Sequence, residues 1–193
     1  MTLLSSKGYI DMAAITTQVA RAIASQLEAA RIARRFDLSR FNTHVVFEGQ
    51  PNFEELPDND IYVNVVPPIT YEKIEIVSNA HDLEWAAVWN IDVRKRLPLT
   101  AWEGDGSLQI DTLGRLIRLT EQIHEWCVSN LRSSPLAIAT VDTITSHYAT
   151  WVDDVEGERA LQSDIVTYFP EQLAENEYWG VCREVFEISE GTD

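Results

Sequence analysis

The chain has 193 residues, 45% of them hydrophobic, with six each of Trp, Tyr and Phe, which suits one domain with a sizeable core and excludes whole-chain disorder. Its 31 acidic and 15 basic side chains leave a formal net charge of −16, which excludes a general nucleic-acid coat, because phosphate neutralisation needs clustered Lys and Arg. The two cysteines, Cys127 and Cys182, are too few for a disulfide framework and fit a reducing interior.

No apolar run approaches a membrane span, and the first residues lack the apolar stretch of a secretory signal. The charge is uneven. Residues 1–42 sum to +3 (six basic, three acidic), residues 43–152 to −9 (seven basic, sixteen acidic) and residues 153–193 to −10 (two basic, twelve acidic). A basic N-terminal end can meet an acidic neighbour, including another copy of the same chain.

Residues 1–10 carry no periodicity and read as a flexible start to a single domain over 11–188, with 189–193 as a flexible end. Asp11 is the expected N-cap of a helix in which Ile15, Val19, Ile23 and Leu27 recur every fourth residue among alanines. That helix is expected to reach about Phe36, with Arg31, Arg34 and Arg35 in its last turns complementing the helix dipole.

Strands are expected at 43–47, at 61–65 before Pro67 and Pro68, and at 71–77 and 83–93 as a hairpin across 78–81. In the last of these, Leu83, Trp85, Ala87, Trp89, Ile91 and Val93 share one face and predict core. Asp82, Glu84, Asn90, Asp92 and Arg94 share the other, which is expected to be wet or to meet a partner.

After a Gly- and Pro-containing loop, Leu113, Leu116, Ile117, Ile123, Cys127 and Leu131 predict a second helix ending near Arg132. Residues 136–152 are β-rich, and 153–158 read as a solvated acidic loop. Strands are expected at 165–169 and 178–188, the last apolar on both faces. The fold class is therefore α+β, a largely antiparallel or mixed sheet with two main helices on one face.

Little in the chain points to catalysis. His44, His81, His124 and His147 are isolated in sequence; His124 and Cys127 could share a helix face, but a structural zinc needs four such ligands. Phosphate-loop, nucleophile-elbow and HExxH patterns are absent. Asp58 with Asp92 and Arg94 imitates a metal-dependent nuclease, yet the basic position is Arg94 where such chemistry uses Lys, and Lys95 points to the opposite face. Trp102 in a Gly-containing loop, Trp151 beside the acidic stretch, Phe53 and Tyr71 are candidate contact anchors, since aromatics concentrate at interface hot spots. With Arg31, Arg34, Arg35, Asp153 and Asp154 they form the candidate subunit or partner interface. No catalytic, cofactor-binding or metal residue is assigned.

Read end to end, the order of signals resembles the tail terminator (tail completion, neck) proteins of long-tailed bacteriophages and prophages. The resemblance rests on the Ala-rich helix from Ile15 to Ala30, the acidic segment and Val-rich strand from Phe53 to Pro67, and the strand with a basic end from Trp89 to Arg96. It rests also on Tyr168, Pro170, Glu171 and Leu173 ahead of the aromatic-led strand from Tyr178 to Ile188.

The resemblance implies a structural virion protein that forms a ring, commonly a hexamer, on the head-proximal end of the tail tube. Its partners would be itself, the tail tube protein and the head-tail connector or neck proteins. Genome DNA would pass through the lumen without specific binding, no membrane would be involved, and assembly would take place in the host bacterial cytoplasm. A head-completion or minor tail role is the sibling reading, and a small metal-dependent nuclease the reading of another class.

Overall fold

The computed structural model describes residues 7–45, 60–68, 74–78, 82–97, 107–132, 134–138, 146–155, 161–166 and 176–191. Among these described residues two helices, α1 (Lys7–Ile32) and α2 (Ser107–Leu131), accompany ten strands. These are β1 (Asn42–Val45), β2 (Ile61–Val66), β3 (Ile74–Ser78), β4 (Asp82–Arg96), β5 (Leu136–Ile138), β6 (Ser146–Val152), β7 (Asp154–Val155), β8 (Leu161–Gln162), β9 (Asp164–Val166) and β10 (Glu177–Gly191). The α+β class expected from the sequence is the class observed.

Eight strands form the main sheet, in the order β1, β2, β4, β10, β6, β5, with β3 also paired to β4 and β9 to β10. Only β1 with β2 is parallel; the other pairs are antiparallel. The two 15-residue strands β4 and β10 run side by side from Glu177↔Arg96 to Ile188↔Trp85 and form the spine.

The period-2 pattern decides which side chains meet the helices. Ile61, Val63 and Val65 of β2, Ala87, Trp89, Ile91 and Val93 of β4, and Tyr178, Cys182, Phe186 and Ile188 of β10 join one apolar cluster. From α1 that cluster takes Ile15, Val19, Ala20, Ile23 and Leu27, and from α2 it takes Leu116, Leu119, Ile123, Cys127 and Leu131. The fourfold spacing puts each set on one helix stripe, and burying each large aliphatic is worth about 1.5–3 kcal/mol.

The helices also meet each other. Phe36, just past α1, packs at a tilt against Phe41 at 5.7 Å and edge-on to Trp126 of α2 at 6.4 Å, while the Asp37 backbone N–H donates to Gln122 Oε1 at 3.0 Å.

Four expectations change. α1 begins at Lys7, so Asp11 lies inside the helix and is not its N-cap, and 7–10 are helical; it ends at Ile32 rather than Phe36. β10 runs on to Gly191, past the expected end of the domain. The 153–158 stretch is not wholly loop, because β7 pairs with β8 and buries Val155 against Ala86, Val88 and Val185 on the sheet face away from the helices.

That same face of β4 is not wet at its middle either: Asp92 and Arg94 are buried. Ser163 closes the place where β10 changes neighbour from β9 to β6. Its hydroxyl donates to Val152 O at 2.8 Å and accepts the Val185 N–H at 3.0 Å, so neither backbone group is stranded.

Candidate functional site

The tip of α1 carries the most distinctive exposed surface. The Arg35 N–H reaches Ala30 O at 3.0 Å and the Arg34 N–H reaches Arg31 O at 3.0 Å, the paired bonds of a Schellman cap. Arg34 takes the left-handed position of that cap with φ 55°, where glycine is the economical residue.

Arg31 is spent locally: it pairs with Glu28, donates to Ser39 O at 3.2 Å and lies over the Phe41 ring at 6.0 Å. That pairing holds the Arg31 guanidinium more firmly protonated and Glu28 below the ordinary carboxylate value, the hydrogen bond between them being the largest cause of both shifts. Arg34, Arg35 and Arg40 are exposed, and none of them pairs with a carboxylate among the described residues. Ile32, two residues before Arg34, is 68% exposed, and with Tyr148 of β6 it is one of two large exposed hydrophobics among the described residues. A cationic tip with an apolar centre is thus presented by a helix end that Phe36 pins to α2.

An acidic surface lies elsewhere, at the β6–β7 corner and on β9. Asp153, Asp154 and Asp164 are exposed there, and Asp153 pairs with Arg132 from the end of α2. Trp151 departs from its expected role as a contact anchor. It sits on β6, its side chain points into the core at 1% exposure, and Arg132 lies 5.8 Å from its ring centroid. Phe53, Tyr71, Trp102 and Asp58 lie outside the described residues.

Two buried polar clusters were not foreseen. Between α2 and the sheet, Glu184 of β10 has no exposed surface; Oε1 lies 2.9 Å from His124 Nδ1, and Oε2 accepts the Trp151 indole N–H at 2.7 Å. Burial raises the Glu184 carboxyl above its ordinary value, opposed by the His124 bond, and that bond in turn raises His124. Beside them Thr120 Oγ1 bonds Leu116 O at 3.1 Å and the Tyr178 hydroxyl at 2.9 Å, and the Cys182 thiol donates to Thr120 O at 3.1 Å. The signal for Glu184 was present in the sequence: it falls in phase with Cys182, Phe186 and Ile188 on an otherwise apolar face.

On the other sheet face Arg94 lies between Asp92 at 3.5 Å and Glu177 at 3.6 Å, over the Trp179 ring. Of the nuclease-like set, Asp92 is thus paired with Arg94, while Asp58 lies outside the described residues. Among the described residues no group of three or more His, Cys, Asp or Glu is arranged to hold a metal ion, and His124 and Cys127 do not form the start of one. An open cleft of about 480 Å³ beside the α1 tip is lined by Asp37, Asp111, Gly114, Arg115 and Arg118, charges of both signs. No helix among the described residues is long and apolar enough to cross a membrane.

Compared with known proteins, the chain matches no family model and no curated protein.

Proposed function

We propose that the chain is a structural subunit of a bacteriophage tail or neck, acting as the tail terminator that caps the head-proximal end of the tail tube as a ring. Its proposed partners are copies of itself, the tail tube protein and the head-tail connector. The layout resemblance supports this reading, and the two helices on one face of a mixed sheet agree with the fold class it implies.

The observation that carries it is the α1 tip. A left-handed Arg34, in a place where glycine costs less, keeps an exposed cation without a carboxylate partner among the described residues, next to Arg35 and near the exposed Ile32, on a chain of net charge −16. Asp154 and Asp164 are exposed acids on other elements, and a closed ring needs a heterologous contact, one patch meeting a different patch on the next copy. An acidic lumen would let DNA slide, because each cationic contact adds affinity that a conduit must avoid.

Deletion of the gene from its phage, followed by negative-stain microscopy, tests the assignment. Tail tubes of uncontrolled length are the expected result. Tailless filled heads beside normal tails would move the role to head closure, and intact, infectious particles lacking the polypeptide would overturn it.

A further inference from the structure

We infer that His124, Glu184 and Trp151 form a protonation-dependent latch that holds α2 on the sheet, closed while the imidazole is a cation and loosened once that proton leaves.

The geometry is that of a three-way tie. Glu184 of β10 is fully buried, and each of its carboxylate oxygens meets a ring nitrogen from a different element, His124 Nδ1 of α2 at 2.9 Å and Trp151 Nε1 of β6 at 2.7 Å. The two rings lie edge to face, 6.4 Å apart. A carboxylate without exposed surface is costly unless it is both hydrogen-bonded and charge-balanced. Trp151 contributes a bond and no charge, so among the groups that touch Glu184 only His124 can balance it.

The His124 side chain keeps 20% of its exposure, so its proton can exchange with solvent without the core opening. The other ionisable groups facing this site are Glu125 and Cys127 on α2, Asp164 on β9 and Cys182 on β10, with the Arg132–Asp153 pair beyond Trp151. The buried thiols are held neutral, so the nearby charge is acidic apart from Arg132 and favours the imidazolium. α1 has no buried ionisable group among the described residues, so the latch belongs to α2 alone.

The direction of the pH response follows. The hydrogen bond to Glu184 raises His124 above 6.5, so the folded chain keeps a proton that the unfolded chain has released. The stability from that proton is fully present below 6.5 and is lost as pH rises through the raised folded value. Glu184, raised from 4.5 by burial, also favours the folded state more at lower pH, so the two groups add rather than cancel.

The test is nitrogen-resolved NMR of the four histidines in the intact chain between pH 5 and 9, with His124 assigned by loss of its signals in His124→Gln, alongside amide exchange. The expected result is His124 titrating above 6.5, with amides in the middle of α2 gaining exchange several-fold relative to those of α1 through the same interval. In Glu184→Gln, which keeps the shape and removes the charge, His124 should titrate lower and the divergence between the helices should vanish. Should that variant fail to fold, the wild-type titration still decides. His124 titrating at or below 6.5, or an exchange ratio between α2 and α1 that does not change as it titrates, would overturn the latch.

Discussion

The guanidinium carbon of Arg94 lies 4.0 Å from the centroid of the Trp179 ring, directly across the β4–β10 register from it. Stacking on the indole covers one face of a cation that is only 3% exposed, while Asp92 and Glu177 approach from the sides. Arg94→Met removes the guanidinium that lies between two buried carboxylates and should cost about 3–5 kcal/mol in urea unfolding at neutral pH. Burial already holds Asp92 above its ordinary 3.8, and losing Arg94 raises it further. A raised carboxyl favours the folded state at low pH and disfavours it as pH rises through the folded value, so the penalty should shrink as the solution is acidified. Arg94→Lys keeps the charge but loses the planar stack, and should cost about 1–2 kcal/mol. An Arg94→Met variant whose deficit is the same at neutral and at acidic pH would contradict this account.

Trp89 donates its indole N–H to Thr16 O of α1 at 3.1 Å and packs at 5.5 Å, 88° from parallel, against Phe186. One side chain thus joins the first helix to the two central strands. Trp89→Ala should cost about 3–5 kcal/mol and lower the denaturation midpoint without changing the m-value, as expected of a core cavity. Trp89→Phe retains much of the packing and should cost less.

Burial pushes the thiols of Cys127 and Cys182 well above their ordinary value, so neither supplies a thiolate at neutral pH. Both should resist an aromatic disulfide reagent in the native chain and react together once guanidinium unfolds it. Rapid labelling of either one under native conditions would contradict the packing of α2 on β10.

How much of this was legible depends on whether one element or two were needed to see it. The core stripe of α1 followed from Ile15, Val19, Ile23 and Leu27, and the helix-facing half of β4 from Ala87, Trp89, Ile91 and Val93, because each is periodic within itself. The β7–β8 hairpin was missed, since two-residue strands have no period and Val155 is a lone apolar residue among acids. The burial of Asp92 and Arg94 depends on Glu177 and Trp179 arriving more than 80 residues later in the chain. The acidic residues after Trp151 make it a candidate contact anchor, whereas its alternation with Ala149 points it into the core. The cationic end of α1 was legible from Arg31, Arg34 and Arg35. That Arg31 is consumed by Glu28 and that Arg34 is left-handed were not, because both depend on the cap geometry.

Arg34 separates stability from assembly. With φ 55° at the cap, a side chain with a Cβ is strained, so Arg34→Gly should stabilise the folded chain by about 1 kcal/mol and raise the melting temperature by about 2–4 °C. The same change removes a cation from the surface proposed to meet the next copy, so under that proposal ring assembly of the chain on purified tail tubes should weaken even though the fold is firmer. Arg34→Lys keeps both the strain and the charge and should behave like the wild type in both measurements. The loss in Arg34→Gly should narrow as salt is raised, since screening reduces the advantage that the wild type holds. If Arg34→Gly is more stable and still caps tubes as well as the wild type, the charge at the α1 tip is not used for assembly. If it is less stable, the strain assigned to the cap is wrong.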